Sequence, residues 1–231
     1  MEEKIRKIFG ITNYFIAFIF AVYYLILEFS ILNITSPIKR LKIIFIVIIL
    51  MYIGSLILNK IKTLPKINMW IWFSLYLIML LNLTLFDQYF GRQSMNFISN
   101  NTITIKDYLN NNFNIIPFAT INNYILALKN NNLSNLNFIY NIFGNLLAFA
   151  PLALFLPRLF NSMDKWYKFF IITSIFIFFI ETMQMVTMSG SFDIDDYILN
   201  ITGSIITYCI VNNKKLKKYI DSFINLNYLK N

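Results

Sequence analysis

Carboxylate and amide side chains are concentrated in the C-terminal part of this chain, inside or directly beside long apolar runs. They are Asn145, Glu181, Gln184, Asp193, Asp195, Asp196 and Asn200. Polar groups within apolar runs are costly and by default indicate a functional site. Two carboxylates in different surroundings can act as general acid and general base, or can supply oxygen ligands to Mg²⁺ or Ca²⁺. Without covalent chemistry, the same groups suit a cationic or hydroxyl-rich ligand.

The chain contains no histidine, and this absence excludes several kinds of site. A Ser-His-Asp or Cys-His nucleophile and a His-ligated metal are impossible. The single cysteine, Cys209, cannot form a disulfide within the chain. We expect no cofactor, and a metal site is the lesser alternative.

The composition indicates a protein whose solvent is largely lipid. Of the 231 residues, 58% are hydrophobic and 13% are charged, whereas a soluble domain has roughly half and a quarter. A membrane-spanning helix needs about 20 apolar residues. Six segments fit or nearly fit this length: Ile11–Leu32, Leu41–Leu58, Met69–Phe86, Phe138–Pro157, Phe169–Met188 and Tyr197–Val211. The sequence therefore predicts an all-α polytopic membrane protein with about six transmembrane helices.

The net charge of +9 is better explained by membrane orientation than by nucleic-acid binding. Lysines and arginines precede the first span, follow the sixth, and lie between the second and third and between the fourth and fifth. The positive-inside rule then predicts a plasma-membrane protein with both termini cytoplasmic. Lys39, Arg40 and Lys42 disagree, because they would face outward, and an unusual hairpin of the first two segments is the alternative.

Two segments are then expected on the outward side, the long loop 87–137 and the short acidic loop 189–196. Within the long loop, Asn114-Ile115-Ile116-Pro117-Phe118 opens an apolar stretch that ends near Leu128. This stretch is too short to span the membrane, and it could lie in the interface, re-enter, or fold over neighbouring helices. At ~1.5 Å per residue, Asn145 and Glu181 lie at a similar depth, with Asp193, Asp195 and Asp196 above them. We predict an outward-facing polar cup formed by the last three spans.

Each of these residues also has a purely structural interpretation. Asn145 could be an interhelical hydrogen-bonding residue. One of the three aspartates is expected to cap the sixth helix. Gly203 and Gly144 are expected to allow close helix packing. Glu181 is the hardest to explain in this way, since a carboxylate at that depth must be protonated, paired or solvated.

Four sequence segments, in order, resemble the VanZ-like family of membrane proteins. They are Asn114-Ile-Ile-Pro117-Phe118, Gly144-Asn145-Leu-Leu-Ala-Phe149-Ala-Pro151, Glu181-Thr-Met-Gln184 and Phe192-Asp193-Ile-Asp195-Asp196-Tyr-Ile-Leu-Asn200-Ile-Thr-Gly203. One departure is that Ser189-Gly190-Ser191 stands where many members have an arginine. The resemblance implies a VanZ-like membrane domain over 69–212, preceded by an anchor hairpin over 1–68 and followed by a basic cytoplasmic tail over 213–231.

The resemblance also implies a link to teicoplanin and lipoglycopeptide resistance in the Gram-positive cell envelope. The expected functional residues are Asn114, Pro117, Asn145, Glu181, Gln184, Asp193, Asp195, Asp196 and Asn200. The first hypothesis is binding of an amphiphile in the cup, where candidates beyond membrane lipids are the lipid-linked peptidoglycan precursor and the lipoglycopeptide antibiotic. The second is an intramembrane carboxylate-based enzyme acting on such a precursor. A transporter is the third, although no internal repeat supports it.

Overall fold

The computed structural model describes residues 1–29, 35–87, 108, 112–130 and 135–224, the side chains of 135–137 excepted. In this part of the chain, six stretches are long and apolar enough to cross a membrane: Glu2–Phe29, Pro37–Ile57, Leu64–Leu85, Phe138–Leu159, Trp166–Val186 and Ile194–Val211. The prediction of an all-α polytopic membrane protein with six spans is therefore confirmed. The predicted end of the first span at Leu32 and most of the predicted loop 87–137 lie outside the described residues.

Helices account for most of the described chain. They are α1 Glu2–Phe29, α2 Pro37–Ile57, α3 Leu64–Leu85, α4 Ala119–Lys129, α5 Asn135–Ala148, α6 Leu152–Leu159, α7 Trp166–Val186, α8 Ile194–Val211 and α9 Lys214–Phe223, with a 3₁₀ turn at Asn161–Asp164. Two short strands, β1 Phe113–Asn114 and β2 Phe192–Asp193, pair in parallel. The chain divides into two compact units, one formed by residues 1–83, Asp87 and 214–224, and the other by 84–86 and the described residues between 108 and 213.

In the first unit, α1 and α2 pack as an antiparallel pair. Helix α2 begins earlier than hydropathy predicts, because Ser36 accepts a hydrogen bond from the Lys39 N–H and Pro37 occupies the first turn. Asn68 of α3 joins the pair. Its side chain accepts a hydrogen bond from the Tyr14 hydroxyl at 3.0 Å and donates one to the Met51 carbonyl at 3.1 Å. The three helices are thus linked by a polar contact inside an apolar core.

Arg40 lies in a buried ionic cluster, which explains why it departs from the expected charge distribution. Its guanidinium donates to Glu28 at 3.2 Å and to Asn82 at 3.4 Å, and it also pairs with Asp87. Glu28, Arg40 and Asp87 are all buried. The end of α1, the start of α2 and the end of α3 therefore meet at one point. Arg40 is not a surface cation, and only Lys39 and Lys42 still disagree with the positive-inside orientation.

In the second unit, the fourth span is interrupted by a turn and is not one continuous α-helix. Helix α5 ends at Ala148 and α6 begins at Leu152, with Pro151 in the turn between them. Proline lacks the N–H that would continue the α5 hydrogen-bond pattern. Hydropathy predicts the total length of α5 and α6, and Pro151 explains why they are two helices.

Helices α5 and α8 approach closely at Gly203. A Cβ atom at this position would lie 1.7 Å from the Leu146 carbonyl oxygen, so only glycine fits. The predicted packing role of Gly203 is confirmed. The same prediction for Gly144 is wrong, because a Cβ there would meet nothing within 4 Å. Small residues alone do not reveal which helix face will be covered.

Candidate functional site

Two of the predicted site residues, Asn114 and Asp193, are brought together by pairing of the two short strands. Phe113 pairs with Phe192 and Asn114 with Asp193, and the two phenylalanine ring centroids lie 5.3 Å apart. The Phe192 N–H also donates to the Asn112 carbonyl at 2.9 Å. This pairing brings the segment before α4 against the start of α8.

Asp193 caps α8 and also holds this segment. Its Oδ1 atom accepts hydrogen bonds from the Asp195 N–H at 2.9 Å and from the Asn114 amide at 3.1 Å. Its Oδ2 atom accepts from the Thr120 hydroxyl at 2.5 Å. Asn114 in turn accepts from the Ile116 N–H, which closes a local turn. The expectation that one aspartate caps the sixth span is confirmed for Asp193.

Asp195 caps a different helix, α4. Its two carboxylate oxygens accept hydrogen bonds from the main-chain N–H groups of Phe118 at 2.5 Å and Ile121 at 3.0 Å. These groups belong to the first turn of α4, where the helix dipole favours negative charge. Asp195 is only 1% exposed, so these two N–H groups replace water as the hydrogen-bond donors to its side chain. Phe118 itself adopts a left-handed backbone with φ of 66°, a conformation that persists in bulky residues only where surrounding contacts fix it.

Asp196 is the most accessible of the three aspartates. It is half-buried and accepts a hydrogen bond from the Asn145 amide of α5 at 2.5 Å. Tyr124 of α4 lies near enough for these charges to affect it. Burial raises the pKa of the Tyr124 phenol, and the negative charges of Asp196 and Asp193 raise it further. Tyr124 therefore remains a neutral hydrogen-bonding group at physiological pH.

Glu181 lies deeper, between α7 and α8. It is 2% exposed and accepts a hydrogen bond from the Asn200 amide at 3.5 Å. The side-chain Oδ1 atom of Asn200 is also buried and accepts no hydrogen bond from the described residues. Gln184, one turn from Glu181, donates to the Thr84 carbonyl at the end of α3. Glu181 is therefore a buried carboxylate, and the Asn200 amide is one of its hydrogen-bond donors.

The loop that carries Pro117 presents an apolar surface. Phe113, Ile115, Ile116 and Phe118 are all exposed, with Ile116 at 67% and Phe118 at 62%. Pro117 is also exposed. We call these five residues the apolar loop. Hydrogen bonds to Asp193 and Asp195 fix its backbone. Its apolar side chains are exposed on this fixed backbone.

Sequence reasoning identified the carboxylates but missed their partners in α4. Thr120, Tyr124 and the main-chain N–H groups of Phe118 and Ile121 complete the cluster. A start signal for α4 was missing, because its first turn carries no acidic residue and its N-cap side chain makes no hydrogen bond. In the described ranges, no three acidic or cysteine side chains come together in a way that could hold a metal ion.

Comparison with known proteins identifies the family. Searches of curated proteins and of solved structures found no match. A family model described as VanZ/LLP1 matches residues 73–215, and this range contains every predicted site residue. The match covers more than half of the 231 residues. The VanZ-like resemblance is thus confirmed, and the chain belongs to the VanZ/LLP1 family.

Proposed function

We propose that this protein binds an amphiphile of the cell envelope and thereby contributes to resistance against teicoplanin and related lipoglycopeptides. The binding site combines the half-buried Asp196–Asn145 pair, the Tyr124 hydroxyl and the apolar loop. The protein acts at the plasma membrane of a Gram-positive host, with both termini cytoplasmic and the site facing outward.

The position of Asp196 carries this proposal. Asp193 and Asp195 already accept hydrogen bonds that fix the loop and the first turn of α4, so a ligand that took over their oxygens would have to displace those donors. Asp196 is half-buried, whereas Asp193 and Asp195 are buried, so its side chain is the most accessible to a ligand. The geometry therefore favours Asp196 as the carboxylate that contacts a ligand, and Asp193 and Asp195 as positioning residues.

The two parts of the site favour a ligand with two chemical halves. A carboxylate, an amide and a neutral phenol bind hydroxyl, amide or ammonium groups, and a bare phosphate is disfavoured by the negative charge of Asp196. The exposed apolar loop suits an acyl or polyprenyl chain. A lipid-linked peptidoglycan precursor and a lipoglycopeptide both have this combination.

The proposal is tested by antibiotic susceptibility in a sensitive Gram-positive host. The host expresses the wild type, Asp196→Asn, or the control Asp164→Asn, which removes an exposed carboxylate outside the site. A tag is used to match membrane levels. We expect the wild type and the control to protect against teicoplanin more than against vancomycin, and Asp196→Asn to lose that protection. Equal protection by all three variants would remove Asp196 from the site, and no protection by the wild type would refute the resistance role.

The enzymatic alternative assigns Glu181 and an aspartate to general acid and base roles. It has less support, because Asp193 and Asp195 are occupied by structural hydrogen bonds. Incubation of the purified protein with lipid-linked precursor distinguishes the two functions. Release of a product that Glu181→Gln fails to release would favour the enzyme, whereas retention of intact precursor would favour the binding protein.

A further inference from the structure

Helix α9 has two chemically different faces, both of which remain largely exposed. Leu216, Tyr219, Ile220 and Phe223 follow the i, i+3, i+4, i+7 spacing of a single helical stripe. Tyr219 is 69% exposed, and Leu216 and Phe223 are exposed as well. The other face carries lysines, of which Lys214, Lys215 and Lys218 are exposed.

The helix is nevertheless held in place by the first unit. The ring of Phe223 stacks on Tyr52 of α2 with centroids 5.0 Å apart, and the Tyr52 hydroxyl donates to the Phe223 carbonyl at 3.1 Å. Asp221 and Ile224 are buried. Helix α9 therefore docks through its Asp221 side, while most of its apolar stripe has no cover among the described residues. It is an ordered element, where the sequence predicted only a basic tail.

The end of the first unit to which α9 docks is strongly basic. Tyr52 lies near the end of α2, and the following turn meets the start of α1 through the Lys60–Glu3 ion pair. Arg6 and Lys7 line the same cleft as Lys60. Cations at this end of the unit outnumber the carboxylates Glu2, Glu3 and Asp221: they are Lys4, Arg6, Lys7, Lys60, Lys62, Lys66, Lys214, Lys215, Lys217 and Lys218.

We propose that α9 lies in the membrane interface and binds anionic phospholipid headgroups of the cytoplasmic leaflet. Helix α9 begins at Lys214, directly after the sixth span ends at Val211, so its start is at the membrane surface. A basic amphipathic helix at this position places its apolar stripe at the acyl boundary and its lysines among the phosphates. The lysines of the first unit supply the complementary charge. This lipid site is independent of the outward-facing site proposed above.

The apolar stripe is tested with an environment-sensitive fluorophore on the full-length protein. The exposed Cys209 is first replaced by serine, and a single cysteine is placed at Tyr219→Cys on the apolar stripe or at Ser222→Cys on the polar face. Both proteins are reconstituted into vesicles of phosphatidylcholine alone or with phosphatidylglycerol. We expect the emission maximum of the label at 219 to shift to the blue. Spin-labelled acyl chains should quench this label, and both effects should be strongest with phosphatidylglycerol. The label at 222 should show the emission maximum typical of an aqueous environment in both lipids. A water-like spectrum at 219 in both lipids would overturn the interfacial position.

The lysines are tested in the same assay by charge removal. Lys214, Lys215 and Lys218 are replaced together by glutamine, and the control replaces the exposed Lys39, Lys42 and Lys129. We expect the first triple variant to lose the phosphatidylglycerol-dependent part of the shift at 219 and the control to keep it. A shift that is equal in both lipids, or one that survives removal of the α9 lysines, would overturn recognition of anionic headgroups.

Discussion

The Asp195 Oδ1 atom lies 2.5 Å from the main-chain nitrogen of Phe118, so a carboxylate of α8 caps a helix whose N-cap residue lies 77 residues earlier. The second oxygen of the same side chain accepts from Ile121. Together with Asp193, this contact fixes the apolar loop relative to the half-buried Asp196. The geometry of the proposed binding site thus depends on two carboxylates that are themselves assigned structural roles.

Replacing Asp195 by alanine is expected to loosen the first turn of α4. Loss of a helix cap costs about 1–2 kcal/mol, and each 1.4 kcal/mol corresponds to about a tenfold change in an equilibrium. Hydrogen exchange should therefore accelerate about tenfold at Phe118 and Ile121. Asp195→Asn keeps one acceptor and should give a smaller effect. Asp196→Asn is the control, and unchanged exchange in Asp195→Ala would contradict the capping role.

Gly203→Ala is expected to destabilise the second unit strongly. The new Cβ would lie 1.7 Å from the Leu146 carbonyl oxygen, and a backbone atom cannot move aside as a side chain can. The cost should exceed the ~1–3 kcal/mol typical of overpacking. Gly144→Ala is the matched control, because that site is open and alanine favours a helix by about 1 kcal/mol over glycine. Thermal unfolding in detergent should show a lower midpoint only for Gly203→Ala. Equal midpoints for the two variants would refute the close approach.

Arg40→Met is expected to destabilise the first unit by about 3–5 kcal/mol, the range for breaking a buried ion pair. The substitution leaves the buried carboxylates of Glu28 and Asp87 without the guanidinium. Adding Glu28→Gln should recover part of the loss, because one buried charge is then removed. Lys39→Met removes an exposed cation and serves as the control. If the Arg40 and Lys39 variants unfold at the same temperature, the cluster does not stabilise the helix ends.

Asn145→Leu is expected to lower the free energy of unfolding by about 1–2 kcal/mol, because Asp196 loses its amide donor. The loss is smaller than for a fully buried hydrogen bond, since the half-buried Asp196 retains some solvation. The same substitution at the exposed Asn141, one turn earlier in α5, should have little effect. Unfolding midpoints of the two variants give the comparison. A double variant with Asp196→Asn tests whether the two losses are additive. Full additivity would mean that Asn145 and Asp196 do not interact.

The membrane spans could be predicted from the sequence because lipid imposes a length and an apolar composition on each helix separately. Local signals were equally informative at Asp193, which caps the helix that follows it directly. The sequence did not show which glycine lies at a close contact between helices. Gly203 and Gly144 look alike in sequence, and only the position of the neighbouring helix distinguishes them.

The remaining features arise from contacts between distant segments, which leave no periodic pattern. Arg40 is buried because Glu28 and Asp87 reach it from two other helix ends. The assignment of Asp195 to α4 and of Asp196 to Asn145 likewise depends on three separate parts of the chain. Neighbouring aspartates with different roles cannot be told apart by residue type alone.

The long sequence separation between Asp195 and the α4 amide groups also has a consequence for biosynthesis. Phe118 and Ile121 leave the ribosome well before the carboxylate that caps them, and for Phe118 the interval is 77 residues. At synthesis rates of ~5–20 residues per second, that interval lasts about 4 to 15 s. During this time the nascent apolar loop has neither its strand partner nor its cap, so the segment is exposed to chaperones and proteases at the membrane until α8 has been inserted.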